Sequence, residues 1–203
     1  FILQASDKPG GVYSAVMHSD GSGGDLLTLS GGGSVHPATE ATVHEGRHFI
    51  EMDGKEVFRF ATRVMAQATK EALEVAGMTI EEMNWIVPHQ ANIRIIEAAA
   101  RGLKQPMDKF IVNLDRYGNT STASIPIATV EAVEKGQIKN GDKFVMVGFG
   151  AGLTWGALTA EWTGPLPSKG QVRPAQYRAL GRVRSFVRRA IRFIEGIIFR
   201  REL

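Results

Sequence analysis

Apolar positions along this chain follow two periods. Residues 11–18, Gly-Val-Tyr-Ser-Ala-Val-Met-His, alternate as a strand does, and Asp20-Gly21-Ser22-Gly23-Gly24 breaks the chain before a second extended run, Leu26-Leu27-Thr28-Leu29. Residues 30–48, interrupted by Gly, Pro and His, predict a loop. From Gly54 to Gly77 the residues Val57, Phe58, Ala61, Val64, Met65, Ala68, Ala72 and Val75 recur at three and four. That spacing predicts one amphipathic helix, ended by Gly77 and lying against a sheet.

Thr79 with Glu82 three residues on is a capping-box pattern that opens a short helical turn. The run Trp85-Ile86-Val87 then reads as a buried strand ending at Pro88-His89, followed by a helix from about Asn92 to Leu103. A further apolar run, Phe110-Ile111-Val112, leads through the loop Asp115-Arg116-Tyr117-Gly118-Asn119-Thr120 to a helix from about Ser124 to Lys135. Finally, 144–147 and 153–158 read as adjacent strands joined by the turn Gly148-Phe149-Gly150-Ala151-Gly152. Strands alternating with helices predict an α/β layered fold. Pro165, Pro167, Ser168 and Gly170 mark a linker, which separates a body, 1–164, from an extension, 165–203.

Composition narrows the classes. No run reaches the roughly 18 to 20 apolar residues of a membrane span. The chain has no cysteine, which excludes disulfides, thiolate metal sites and a cysteine nucleophile within it, and a cytoplasmic location is the expectation. The start, Phe1-Ile2-Leu3-Gln4, has neither a Met nor the basic and small-residue features of a signal peptide, and reads as a chain cut within a strand. The net charge of +3 is uneven: residues 165–203 hold ten Lys/Arg against two Glu, a net of +8, leaving −5 on residues 1–164. The basic character belongs to the extension, not to a uniformly basic nucleic-acid binder.

Two segments carry candidate chemistry: Val87-Pro88-His89-Gln90-Ala91-Asn92-Ile93-Arg94, and the run from Asn113 to Ser124 that contains Asn119. Each puts a polar side chain where a strand gives way to a helix, the edge of the core at which α/β sheets present sites. A neutral His89 and the Asn119 amide could both donate hydrogen bonds to one carbonyl oxygen and stabilise charge that develops there. Taken singly, His89 is as well explained by a core or capping histidine, and Asn119 by a turn residue after Gly118.

The strings Val-Pro-His-Gln-Ala-Asn, Tyr-Gly-Asn-Thr-Ser-Thr-Ala-Ser and Gly-Phe-Gly-Ala-Gly-Leu-Thr-Trp-Gly, in this order and spacing, together with Met52-Asp53-Gly54-Lys55-Glu56-Val57-Phe58, resemble β-ketoacyl-acyl carrier protein synthase III over residues 1–163. The resemblance implies the C-terminal half of a thiolase-like fold, with a mixed five-stranded sheet and helices. It also implies fatty-acid initiation by a homodimer: an acyl group from acyl-CoA is loaded on a Cys, malonyl-ACP loses CO2, and the thioester enolate attacks the acyl group. His89 and Asn119 would be the catalytic pair that holds the malonyl thioester carbonyl. Gly150 and Ala151 would support the oxyanion of the tetrahedral step, and Phe149 would wall the malonyl carboxylate, as core packing alone would also explain.

By the same resemblance Gly54, Phe58 and Asn92 would line the pantetheine channel, although a helix-start Gly and an N-cap Asn account for two of them equally. Arg59, Arg94 and Arg101 would receive the acyl carrier protein, and Arg94 and Arg101, seven apart, share one helix face. No cofactor or metal is implied, acyl-CoA and malonyl-ACP being substrates. The family's Cys lies in its N-terminal half, so this chain is expected to supply the His/Asn half of the site and not to complete the reaction alone. Two rivals stay open: a CoA-dependent polyketide-type synthase of the same fold, and a non-catalytic half-subunit that binds a partner or membrane through its extension.

His36, His44 and His48 could be drawn together as a metal site, but Pro37 and Gly46 argue against a helix there and no Cys or ordered carboxylates join them, which favours a solvated loop. Gly-Phe-Gly-Ala-Gly lies between two strands rather than before a helix, unlike a nucleotide loop. In the extension, Tyr177, Leu180, Val183, Val187, Ile191, Ile194 and Ile198 form an apolar stripe, with Arg178, Arg182, Arg188, Arg189, Arg192 and Arg200 over much of the remainder. Such a basic amphipathic helix suits an anionic membrane surface, here through residues 175–201, or an acidic groove, or packing on its own body or a dimer mate.

Overall fold

The alternating run near the start forms strand β1 (Gly11–Ser19), as its pattern predicts. The computed structural model describes Leu3, residues 5–164, residues 182–189 and Ile191. Two compact units divide the chain, Phe1–Leu166 and Pro167–Leu203.

After β1 comes a short ribbon in which β2 (Leu27–Thr28) pairs antiparallel with β3 (Glu51–Met52), enclosing helix α1 (Glu40–His44). The sequence read 30–48 as loop throughout. Pro37 and Gly46 do bar a long helix, but Thr39 and Thr42 close a capping box, the Thr42 N–H donating to Thr39 Oγ1 at 3.2 Å, and one short helix forms between them. Glu51 and Met52 are too brief a run to show any period.

The long amphipathic stretch is helix α2 (Gly54–Ala76). Asp53 caps it by accepting from the N–H groups of Lys55 and Glu56, and Gly77, left-handed at φ 64°, ends it where a side chain would be strained. Strand β4 (Trp85–Pro88) leads to helix α3 (Ile93–Leu103), then come short helix α4 (Leu114–Tyr117) and helix α5 (Ser124–Glu134). The hairpin β5 (Lys143–Gly150) and β6 (Thr154–Glu161) completes the unit. The sequence placed the hairpin turn at 148–152, but β5 runs on through Phe149 and Gly150, which face Trp155 and Thr154, so the turn shrinks to 151–153.

The main sheet has the order β1-β6-β5-β4, with β4 and β5 parallel and the other pairs antiparallel. The remaining expected strand, Phe110-Ile111-Val112, joins β4 through one parallel bridge, Ile86 to Phe110, with the Ile111 N–H donating to Ile86 O at 2.9 Å. Alternation along the strands sorts the core into two layers. Ile86, Val145, Val147 and Ala157 pack against α2 and α3 on one face, where Ala61, Met65, Ala68, Ile96 and Ala99 are buried. Val87, Phe144 and Ala160 pack on the other against Ala128, Ala132 and Val133 of α5. The sheet thus lies between helices, and the ends of β4 and β5 open at one corner.

Candidate active site

His89 is the first residue beyond β4, and its N–H donates to Val147 O at 2.8 Å, continuing the ladder with β5. Its ring meets Phe149 edge to face, with centroids 5.3 Å apart and planes at 79°. Phe149 in turn lies 6.4 Å from Phe60 of α2, also at an edge-to-face angle. An added Cβ at Gly148 would lie 3.4 Å from Ile125 Cδ1 and 3.6 Å from His89 Cβ, so α5 and the histidine both border this point of the strand.

The other flank of the imidazole is polar. Ser124, buried at 1% exposure as the first residue of α5, places its Oγ 2.6 Å from His89 Nδ1. The same oxygen accepts the Gln90 N–H at 3.3 Å. The hydroxyl can donate its proton to Nδ1, in which case a neutral ring carries its own proton on Nε2. Burial lowers the His89 pKa below its ordinary value, which keeps the ring neutral at neutral pH.

Gln90 is fully buried and ties the corner together: its Nε2 donates to Pro88 O at 2.8 Å and to Ile111 O at 3.1 Å, while its Oε1 accepts from the Asn113 N–H at 3.1 Å. One side chain therefore joins the end of β4 to the segment leading into α4. Both Gln90 and Ser124 stand inside strings that the sequence brought out, yet neither had a role there. Their partners are up to 35 residues away, and no local period reports such a contact.

Asn119 lies on the loop after α4, which leads through a 3-10 turn, Ser121–Ala123, into Ser124, the residue that touches His89. Its Oδ1 accepts the Ser121 N–H at 2.9 Å. That bond holds Ser121 in the left-handed region, φ 55°, which non-glycine residues seldom adopt. With the carbonyl side of the amide used, the NH2 group is the end left to donate. Gly118 precedes it with φ 64° and ψ −157°, a conformation reserved to glycine, so the positive φ values of this turn fall on Gly118 and Ser121 rather than on Asn119.

The other sequence candidates fall into two groups. Gly150 ends β5 and Ala151 begins the turn, where Ala151 O accepts from Thr154 Oγ1 at 3.0 Å. On the helical side, Gly54 opens α2 and Asn92 caps α3, its Oδ1 accepting the Arg94 N–H at 2.9 Å. The structure brings Phe58 and Arg94 together, the guanidinium carbon lying 5.5 Å from the ring centroid. Arg59 pairs with Glu56 at 2.9 Å on its own helix, and Arg101 is exposed in the last turn of α3. Of the three loop histidines, His44 lies 3.6 Å from Glu40 and His48 3.0 Å from Thr42 Oγ1. Among the described residues no three His, Asp or Glu side chains gather as metal ligands would.

A mixed sheet between helices is the architecture this chain shares with half of the thiolase-like synthase III structures it resembles. Residues 73–162 match, and belong to, the family described as 3-Oxoacyl-[acyl-carrier-protein (ACP)] synthase III C terminal. The chain is 48% identical over 162 residues to the β-ketoacyl-[acyl-carrier-protein] synthase III of Roseiflexus sp. (strain RS-1), covering 80% of this chain and 49% of that protein. It is 51% identical over 154 residues to the enzyme of that name from Clostridioides difficile (strain 630), covering 76% and 47%. The crystal structure of a synthase III from Thermus thermophilus superposes with a TM-score of 0.71 at 43% identity, covering 80% of this chain and 50% of that one. The chain spans about half the length of the curated relatives it matches.

Proposed function

We propose that this chain supplies the His/Asn half of a decarboxylative Claisen site that joins an acyl group to malonyl-ACP, giving 3-oxoacyl-ACP in the first condensation of fatty-acid synthesis. The observation that carries this reading is the Ser124–His89 contact. A neutral imidazole held at Nδ1 offers Nε2–H as a fixed donor, and the Asn119 NH2 offers a second. When the malonyl thioester loses CO2, charge moves from the departing carboxylate onto the thioester oxygen, and two fixed donors stabilise that enolate more than the starting carbonyl. Phe149, against the imidazole, supplies an apolar wall at which the carboxylate is poorly solvated and its loss favoured.

The subsequent attack needs an acyl thioester, and the 203 residues contain no cysteine, so the nucleophile is contributed from outside them. Backbone N–H groups at Gly150 and Ala151 serve the oxyanion of that step. Gly54, Phe58 and Asn92 line the path of the pantetheine arm, and Arg59, Arg94 and Arg101 face the acidic carrier protein, with Arg94 braced on Phe58. Residues 1–164 form the catalytic half, which works in the cytoplasm as part of a homodimer that uses acyl-CoA and needs no cofactor, and 165–203 are an extension.

The test separates the two half-reactions in active enzyme that includes this chain. His89→Ala leaves acylation by acyl-CoA intact and lowers CO2 release from malonyl-ACP by about 100-fold or more. Loss of acylation with decarboxylation retained would reverse the assignment.

A further inference from the structure

We propose that the extension docks on an anionic phospholipid surface, lying in the plane of the membrane through residues 182–189 and Ile191. The family match ends at residue 162, before this segment. Residues 182–189 are helical, and Val183, Phe186, Val187 and Ile191 are 61%, 70%, 47% and 49% exposed. No helix among the described residues is long and apolar enough to cross a membrane.

The arrangement of side chains favours lipid. At about 100° per residue, Phe186, Val183, Val187 and Ile191 fill an arc of about 140°. Arg184 and Arg188 follow one edge of that arc, and Arg189 and Arg182 precede the other. Arginines at both margins of a broad apolar face can lay their stems along the hydrocarbon boundary while the guanidinium groups reach lipid phosphates. Residues 162–194 contain no Asp or Glu, so the polar side is of one sign throughout. An acidic protein groove is the alternative occupant of such a face, and the experiment below separates the two.

The experiment is flotation of the full chain with vesicles of phosphatidylcholine alone, or with phosphatidylglycerol in about equal parts. The chain floats with the mixed vesicles and at least about tenfold less with neutral ones. Arg184→Glu with Arg188→Glu weakens binding roughly 20-fold or more, because each basic side chain near such a surface contributes about fivefold. Phe186→Asp weakens it by about tenfold while leaving the net charge strongly positive. Failure to float with mixed vesicles, equal binding to neutral ones, or undiminished binding in either variant would overturn the proposal. So would binding to polyglutamate that survives Phe186→Asp in the absence of vesicle binding, which would identify an acidic protein as the partner. The readout is vesicle binding and is independent of the condensation reaction.

Discussion

The Ser124 hydroxyl lies 2.6 Å from His89 Nδ1 and accepts the Gln90 N–H through the same oxygen, so the first residue of α5 is the hydrogen-bond partner of that imidazole nitrogen. Ser124→Ala removes the hydrogen bond to Nδ1 and releases the tautomer. Long-range proton–nitrogen correlation spectra of the labelled chain are expected to show the Nε2–H form alone in the native protein and a mixture in Ser124→Ala. CO2 release in active enzyme falls about tenfold with the variant, whereas Ser124→Thr, which keeps the hydroxyl, recovers part of it.

Burial also sets the pH response of the same residue. The folded His89 pKa lies below the ordinary value of 6.5, so as pH falls below that value the unfolded chain binds the proton before the folded one does. Stability therefore declines from about pH 6.5 downward to the folded midpoint and is flat with respect to this group above it. His89→Gln, which does not titrate, is expected to flatten that part of the urea-denaturation profile. An imidazole midpoint above 6.5 by NMR titration would contradict the burial argument.

Gln90 makes three buried hydrogen bonds across the corner. Gln90→Leu keeps much of the volume but leaves Pro88 O, Ile111 O and the Asn113 N–H without these partners. Each orphaned buried group costs about 1–3 kcal/mol, so a loss of roughly 3 kcal/mol or more is expected in urea denaturation. The loosened corner also shifts the His89 ring resonances, a change that damage confined to a distant part of the core would not produce.

What the sequence made legible follows the reach of each signal. The three-to-four spacing of α2 and the Gly77 stop were readable because a helix face and its cap are written within a few residues. So were Trp85-Ile86-Val87 as a buried strand and His89 as a polar residue at a strand-to-helix junction, whereas Asn119 follows α4 and stands between two helical segments rather than at a strand end. The short pieces were not: α1 depends on the Thr39 and Thr42 caps rather than on a period, and β3 is two residues long. In the β5–β6 hairpin the glycines obscured the strand, because Gly148 and Gly150 stay in the ladder opposite Gly156 and Thr154. Least visible were the contacts that arm the histidine. Ser124 and Gln90 act across 35 and 21 residues, and only the folded sheet brings their partners within hydrogen-bond distance.

The central claim is that His89 and Asn119 act as two hydrogen-bond donors to one developing enolate, and Asn119→Asp tests it most directly. Asp keeps an oxygen to accept the Ser121 N–H, and so keeps the loop, but replaces the NH2 donor with a second acceptor. The measurement is the rate of CO2 release from malonyl-ACP by acylated enzyme that includes this chain. The account predicts a fall of about 100-fold or more, at least as large as for Asn119→Ala, with acylation unchanged. Decarboxylation by Asn119→Asp at the native rate would contradict it.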